Sequence, residues 1–181
     1  MAFRGKVVLG VTGSISAYKS AGVARLLVKQ GCEVQIILSA GGAKFITPLT
    51  MSTVSGKPVL SEFNDPKTGA WNNHVHLAQW ADLILIAPLS ANTLGKLANG
   101  LCDELLHAVY LSAKCPVIGA PAMDHDMWHH PSVMRNLSKL EGDGVTIIPP
   151  EKGELASGLI GDGRLAEPEN IVAFINNQFS E

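Results

Sequence analysis

The amino-acid sequence predicts a three-layer α/β fold, a doubly wound parallel sheet of the Rossmann or flavodoxin type. Strand-like and helix-like segments alternate along the chain, as they do in consecutive βαβ units. The run 83–87 is apolar without alternation, which suits a strand that helices cover on both faces. A length of 181 residues with 46% hydrophobic content suffices for one full core, so we predict a single domain over 1–181.

The first βαβ unit is predicted at the amino-terminal end. Residues 6–12 are rich in β-branched side chains and break at Thr12-Gly-Ser-Ile-Ser16. Residues 17–30 follow with apolar positions at roughly helical spacing, and Gly31 stands where a helix cap belongs. The second strand is predicted at 33–39.

The middle of the chain is predicted to hold helices around a surface excursion. A helix is expected over 41–55. Residues 55–73 are rich in Gly, Pro, Asn and Asp, so we predict a surface segment with one short extended piece at 59–63. A helix near His74–Trp80 leads into the strand at 83–87, and a long helical region is predicted from about 91 to 113.

The carboxyl-terminal part adds two more strands, at 116–120 and 144–148, on either side of a helix at 131–140. The sheet is therefore expected to have at least five strands. Residues 149–168 contain several glycines and show no periodicity, so we predict a loop that serves as a flap at about 150–168. A terminal helix is predicted over 168–179.

Composition argues against several classes of partner. A net charge of -2 with both signs mixed leaves no basic stripe for nucleic acid or an anionic membrane. The apolar runs are too short to span a bilayer, and no signal region precedes the first strand, so a cytoplasmic location is expected. The cysteines, Cys32, Cys102 and Cys115, are odd in number and lack metal-type spacing, which favours neither a disulfide framework nor a zinc site.

The first strand-to-helix turn is a candidate phosphate site. Backbone N–H groups near Gly13 and Ser14 lie at a predicted helix N-terminus, where an anion binds favourably. The turn is neither a Gly-x-Gly-x-x-Gly fingerprint nor a P-loop, and Ser39 stands where a ribose-binding acid is usual. This pattern favours a mononucleotide over a dinucleotide. The alternative is an ordinary capped helix after a glycine turn.

Two further loops follow predicted strands at the same edge of the sheet. Ser90 and Asn92 can cap the next helix, or they can present donors to an anion or heterocycle. Met123 and Trp128 are ordinary core residues in most proteins. Asp124 is different, because a carboxylate beside apolar neighbours must find partners or face water.

The histidines favour proton transfer over metal binding. No carboxylate or cysteine cluster accompanies His74 and His76, and His125, His129 and His130 lie on a separate segment, so we predict no metal site. An imidazole near a cleft is well suited to moving a proton at neutral pH. Either His74 or His76 is therefore a candidate general base.

Four stretches, in order, resemble the flavin-dependent cysteine decarboxylases. They are the Thr-Gly-Ser-Ile-Ser turn, His74 before Trp80-Ala-Asp82, Pro88-Leu-Ser-Ala-Asn-Thr93 and Pro121-Ala-Met-Asp-His-Asp-Met-Trp128. The resemblance covers essentially the whole chain and is closest to the coenzyme A branch. It implies FMN bound between subunits of a homo-oligomer, a trimer or dodecamer. It also implies decarboxylation of 4'-phosphopantothenoylcysteine to 4'-phosphopantetheine, with a fused or separate synthetase as a partner.

The resemblance also implies residue roles. His74 stands six residues before Trp80, as the family pattern requires, and becomes the catalytic base, which leaves His76 a bystander. Asp124 is the second catalytic candidate. The implied cofactor contacts are Gly13, Ser14, Ser39, Ser90, Ala91, Asn92, Thr93 and Met123. The implied substrate contacts are Asn92, Asp124, Ser157 and Arg164.

Two positions depart from the family pattern. Asp124 stands where the motif has Asn, so an ionised carboxylate there repels the substrate carboxylate unless it is protonated or partnered elsewhere. Ser157 stands where the flap's reducing cysteine is expected, and a hydroxyl cannot take the redox role of a thiol. The alternatives left open are a peptidyl-cysteine decarboxylase of the lantibiotic type, a flavin prenyltransferase and a non-catalytic FMN-binding regulatory subunit.

Overall fold

A five-stranded parallel sheet forms the centre of the structure, a computed structural model in which residues 2–180 are described. The strands are β1 Lys6–Val11, β2 Glu33–Leu38, β3 Leu83–Leu89, β4 Val117–Pro121 and β5 Thr146–Ile147. They lie in the order β2-β1-β3-β4-β5, which is the flavodoxin-like order. The prediction of a doubly wound parallel sheet is confirmed.

Each face of the sheet carries its own apolar cluster. Val7 and Leu9 of β1 pack into one cluster and Val8 into the other, because successive side chains of a strand point to opposite faces. In β3, Leu85 and Ile86 divide in the same way, and the whole strand is buried. Burying one such side chain contributes about 1.5–3 kcal/mol, so the unbroken apolar run is what fixes β3 at the centre.

Helices cover both faces of the sheet. One face carries α1, α2 and α8, while α3, α4, α5 and α7 lie on the other. Among residues 2–180, no helix is both long and apolar enough to cross a membrane. The helices are α1 Ala17–Lys29, α2 Pro48–Ser55, α3 His74–Trp80, α4 Ala91–Ala98, α5 Leu105–Leu111, α6 His125–Trp128, α7 Pro131–Gly142 and α8 Pro168–Gln178.

The predicted helix over 41–55 is wrong as one element. The structure has a single 3-10 turn at Gly42–Lys44 and then the separate helix α2. Thr47 caps α2 by accepting a hydrogen bond from the Thr50 N–H, and Pro48 occupies the first turn. A proline has no N–H to donate and is tolerated there, so it marks a helix start.

The helical region predicted from about 91 to 113 is not continuous, because the chain forms α4 and α5 with residues 99–104 between them. Gly100 has a φ of 68° just after α4, a left-handed conformation that ends helices. Glu104 then stands in an extended conformation at the start of α5. The apolar periodicity continues across both helices, which is why the sequence pattern shows one.

The glycine-rich segment predicted as a loop forms an antiparallel hairpin of β6 Glu151–Glu154 and β7 Ile160–Arg164. The Met123 N–H donates to the Gly163 carbonyl at 3.0 Å, so the hairpin docks on the segment after β4. Gly163 has a φ of 120°, and a Cβ there would meet the Met123 carbonyl oxygen. Glycine is thus required at position 163 for docking. Because glycine has a low strand propensity, the glycines of this segment also gave no signal for a strand in the sequence.

Candidate functional site

A cavity of about 650 Å³ opens at the carboxyl ends of β1, β3 and β4. Parallel sheets of this topology bind ligands at that edge. The walls come from the turn before α1, the loop after β3, the segment after β4 and the β6–β7 hairpin. The predicted site residues that line the cavity are Gly13, Ser14, Ser90, Ala91, Asn92, Met123, Asp124 and Arg164.

Thr12 joins two of these walls and was not identified from the sequence. Its buried hydroxyl donates to the Pro88 carbonyl at 2.6 Å and accepts the Ser90 N–H at 2.9 Å. The Ser20 hydroxyl donates in the same way to the Ala87 carbonyl at 2.7 Å. These hydrogen bonds satisfy backbone groups at the end of β3. They hold the loop that begins at Ser90 beside the turn that begins at Thr12. A hydroxyl at the end of an apolar strand is the sequence signal that was available.

Ser39 and Thr93 lie beneath the cavity wall instead of facing the cavity. The Ser39 Oγ accepts the Gly42 N–H at 2.9 Å, and the Thr93 N–H donates to the Ser90 Oγ at 3.3 Å. Both side chains are buried. Ser90 both caps α4 and lines the cavity. The predicted contacts of Ser39 and Thr93 with a cofactor therefore stay predictions, while their roles in shaping the loops are visible.

Asp124 has a partner within its own segment. It is the N-cap of α6, and its Oδ1 accepts the His125 N–H at 2.7 Å. The residue is half-buried and lines the cavity. A carboxylate in this position is stabilised by the N–H groups at the helix start.

A three-residue network of charged groups contributes to the cavity wall, where Lys19 and Arg164 line it and Glu167 joins them from outside the lining. The buried Lys19 Nζ donates to the Leu165 carbonyl at 3.0 Å and to Glu167 Oε1 at 2.9 Å, and Arg164 Nη2 donates to that same oxygen at 2.6 Å. The hydrogen bond from Lys19 holds the pKa of the Glu167 carboxyl below its ordinary value, with the charge of Arg164 acting in the same direction. Lys19 and Glu167 were missed in the sequence, although Lys19 stands on the buried side of α1.

Besides Ser39 and Thr93, two more predicted residues do not line this cavity. His74 packs edge-on against Phe63 and Trp71, with ring centroids 6.2 and 6.1 Å away. Its buried Nδ1 has no hydrogen-bond partner among residues 2–180. Ser157 lies exposed in the hairpin turn and is not part of the wall.

The residues of the cavity fit the flavin mononucleotide that the sequence implied. Its volume is within the range of roughly 300–1,000 Å³ found for small-molecule sites. Ser14 and Ser16 offer hydroxyls at the start of α1, where a phosphate is favoured. Ile15, Met123 and Met127 supply apolar contacts suited to a flat heteroaromatic ring.

Comparison with curated proteins gives relatives over most of the chain. The coenzyme A biosynthesis bifunctional protein CoaBC of Bacillus subtilis (strain 168) is 42% identical over 175 residues, which are 97% of this chain and 43% of the relative. A cysteine/cysteine sulfinic acid decarboxylase from an unknown prokaryotic organism is 57% identical over 136 residues, 75% of this chain and 38% of the relative. The chain thus spans less than half the length of these curated relatives.

Solved structures share the fold over nearly the whole chain. A mutant PPC decarboxylase complexed with pantothenoylaminoethenethiol matches with a TM-score of 0.87 at 34% identity, covering 99% of this chain and 100% of that one. The FMN-dependent cysteine decarboxylase SpaF matches with a TM-score of 0.82 at 31% identity, covering 97% of both chains. The family model described as Flavoprotein matches residues 3–180. On this match and these relatives, the chain belongs to the Flavoprotein family.

Proposed function

We propose that this chain is an FMN-dependent carboxy-lyase that acts on 4'-phosphopantothenoylcysteine in coenzyme A biosynthesis. The observation that carries the proposal is the cavity at the carboxyl edge of the sheet, whose walls unite three of the four family-like stretches. The CoaBC relatives and the PPC decarboxylase neighbour support the substrate. A synthetase, fused or separate, is proposed as the partner because the relatives are bifunctional proteins more than twice as long as the matched segment.

The cavity residues divide between cofactor and substrate. FMN, when bound, supplies a two-electron oxidant for the substrate's cysteine unit, which makes the carboxylate able to leave as carbon dioxide. We assign the phosphate to the turn at Gly13 and Ser14, and the ring to the loop that begins at Ser90. Asn92 is exposed at the cavity and offers an amide to the substrate. Arg164, the last residue of β7, lines the cavity and supplies a cation for an anionic group of the substrate.

His74 is proposed as the base that acts from a neighbouring copy of the chain. It does not line its own cavity, and the residue is half-buried in the single chain, which leaves part of the imidazole open to a neighbouring copy. Large apolar side chains near it and on α2 are exposed, with Trp71 at 61% and Leu49 at 77%. Surface of this kind is typical of an interface. These features support the homo-oligomer, a trimer or dodecamer, in which sites form between copies.

The product is the second question, because the reaction toward 4'-phosphopantetheine has two halves. Oxidation and loss of carbon dioxide leave an enethiol, which must then regain two electrons and protons. None of the cysteines lines the cavity within residues 2–180, and Ser157 cannot supply a thiol. The neighbour complexed with pantothenoylaminoethenethiol is itself a cysteine-to-serine mutant. We therefore expect the enethiol to accumulate to a greater extent than in an enzyme with a flap cysteine.

A second candidate substrate is free cysteine or cysteine sulfinic acid. It is favoured by the relative that is 57% identical to this chain and is named for those substrates. Neither compound carries a phosphate or a pantothenoyl arm. A small substrate would therefore leave much of a cavity of about 650 Å³ to the cofactor and to water.

Incubation of the FMN-loaded protein with each substrate distinguishes these functions. Carbon dioxide release and product mass would be measured with 4'-phosphopantothenoylcysteine, free cysteine, cysteine sulfinic acid and a peptide that ends in cysteine. Turnover of the first substrate alone supports the proposal, and its product mass separates 4'-phosphopantetheine from the enethiol that is two hydrogens lighter. Turnover of only the other substrates replaces the proposal. Tight FMN binding without any carbon dioxide would support the regulatory alternative.

A further inference from the structure

A cluster of metal-ligating side chains lies where the hairpin meets α6, outside the proposed reaction. His125 begins α6, His129 follows four residues later on the same side, and Asp162 comes from β7. One ligand atom from each lies within 4.8 Å of the others. A spacing of four residues places two helical side chains on one face, so both imidazoles face the hairpin together.

The separations in this cluster are close to those of a metal centre. His129 Nε2 lies 3.3 Å from Asp162 Oδ2, and the two imidazole centroids are 4.6 Å apart. Ligands about 2.1 Å from a tetrahedral ion lie roughly 3.4 Å from one another, so the His129–Asp162 pair already has this spacing. The ligand atoms of the whole cluster lie up to 4.8 Å apart, and side-chain rotation has to bring them closer when an ion binds. The His129 and Asp162 side chains are 52% and 42% exposed, which leaves them free to rotate and leaves room for water ligands.

An ion that binds to His125 must displace one hydrogen bond of its imidazole. Its Nδ1 accepts the Asp162 backbone N–H in a long bond of 3.2 Å. If an ion binds Nδ1, it uses the lone pair that accepts this hydrogen bond. If it binds Nε2, Nδ1 carries the ring proton and can no longer accept. Gly161 permits the approach, since a Cβ there would lie 2.5 Å from His125 Nδ1.

The donor set determines the class of ion. Two imidazole nitrogens and one carboxylate oxygen suit Zn²⁺ and similar divalent transition ions, with water in the open position. Ca²⁺ and Mg²⁺ prefer sites made of oxygen ligands alone. The sequence predicted no metal because Asp162 stands 33 residues from His129 along the chain. Only the docking of the hairpin brings the carboxylate to the histidines.

We propose that His125, His129 and Asp162 bind a divalent transition-metal ion of the Zn²⁺ class, which fastens the β6–β7 hairpin to α6. The flanking residues Asp124 and Gly163 both line the cavity. The ion therefore holds the outer wall of the cavity in its docked position. This role is independent of the substrate and of the reaction, since none of the three ligands lines the cavity.

Calorimetric titration of the FMN-loaded protein with ZnCl₂ tests the site. The unchanged chain is expected to bind one ion, and His129→Ala and Asp162→Asn to bind at least about tenfold more weakly, since even outer-shell changes cost roughly 10–100-fold. His76→Ala is the matched control, because His76 is an exposed helical histidine outside the cluster. No binding by the unchanged chain, or equal affinity in the cluster variants, overturns the proposal. Circular dichroism verifies that each variant is folded.

Limited trypsin digestion tests the fastening separately. Lys152 is exposed in β6, so cleavage there reports opening of the hairpin. Zn²⁺ is expected to slow this cleavage several-fold in the unchanged chain and in His76→Ala, and EDTA to restore it. Cleavage of His129→Ala should not respond to Zn²⁺, which also controls for effects on the protease. Zn²⁺ binding without slower cleavage would contradict a role in holding the hairpin.

Discussion

Asp124 is the residue at which a local structural role and the proposed chemistry conflict. Its carboxylate caps α6 at 2.7 Å from the His125 nitrogen and also faces the cavity. Replacement by Asn keeps a side-chain oxygen for the cap and removes the charge that opposes a substrate carboxylate. Asp124→Asn is expected to lower KM for 4'-phosphopantothenoylcysteine severalfold and to change stability by less than about 1 kcal/mol.

Steady-state kinetics and urea unfolding measure the two parts of this prediction. Asp126→Asn is the matched control, because Asp126 is exposed in α6 and does not line the cavity. It should leave KM unchanged. A higher KM in Asp124→Asn would mean that the carboxylate assists the substrate instead of repelling it.

Positions at the cavity could be predicted where a polar side chain follows an apolar strand, and not where partners come from distant segments. Ser14, Ser90 and Asp124 were found in this way, and all three line the cavity. Thr12 was missed because its two hydrogen-bond partners lie 76 and 78 residues away. Lys19 was missed for the same reason, since its acceptors, one of them Glu167, stand in the segment that follows β7.

At the level of elements, glycine determines how the hairpin docks. Gly163→Ala places a Cβ against the Met123 carbonyl and forces a φ of 120° on an L side chain. Both effects oppose the docked hairpin. We expect FMN affinity to fall at least about tenfold, because a clash with backbone costs more than roughly 1.4 kcal/mol.

Flavin fluorescence titration measures this affinity, and Gly158→Ala is the matched control. Gly158 also has a positive φ, 83°, but a Cβ there would enter open space in the hairpin turn. Its substitution should cost about 1–2 kcal/mol of local strain and leave FMN affinity within about twofold. Equal loss of affinity in the two variants would mean that backbone strain, and not the contact with Met123, is the cause.

The same hairpin is held at its base by Glu167, and this contact depends on pH. The pKa of Glu167 is lowered in the folded chain, first by the hydrogen bond from Lys19. A carboxyl with a lowered folded pKa stabilises the fold above its unfolded pKa, about 4.5, and that stabilisation is lost as pH falls through the folded value. The contacts of Lys19 and Arg164 with Glu167 should therefore weaken only below about pH 4.5.

Pepsin digestion across pH 2–5, expressed relative to Glu167→Gln at each pH, isolates this effect from other carboxyls. The unchanged chain should resist cleavage of the hairpin better than Glu167→Gln near pH 5, and the difference should vanish toward the acid end. A constant difference across the range would mean that Glu167 acts through packing and not through its charge.

Elements were predictable where side chains carry the periodic signal. The buried strand β3 and the helix α1 have apolar patterns that arise directly from burial, and the structure has both. The hairpin lacked such a signal because its glycines allow close approach in place of apolar packing. A Cβ at Gly153 or Gly161 would meet the side chain of Arg164 or His125, and one at Gly163 would meet the Met123 backbone. The boundary between α4 and α5 was not predicted, because apolar periodicity alone does not show where a glycine in the left-handed conformation ends a helix.

For the molecule as a whole, the position of His74 decides whether one chain is a complete enzyme. The described chain holds the turn at Gly13 and Ser14, the Ser90 loop and Arg164 around one cavity, while His74 does not line it. A catalytic base must come within hydrogen-bond reach of the atom that it serves. The proposed function therefore requires that copies associate in such a way that the histidine of one copy faces the cavity of the next.

Mixed oligomers test this requirement directly. His74→Asn and Arg164→Ala are each expected to bind FMN and to lose turnover, because one lacks the proposed base and the other lacks one of the two cations, Lys19 and Arg164, that line the cavity. After unfolding and refolding together in equal amounts, a site shared between neighbours receives both intact residues in about a quarter of cases, so roughly a quarter of the unchanged activity should return. A mixture of two separately refolded samples is the control and should stay inactive. If the mixed oligomers, shown by light scattering to have formed, also stay inactive, then His74 serves the cavity of its own chain or has no catalytic role.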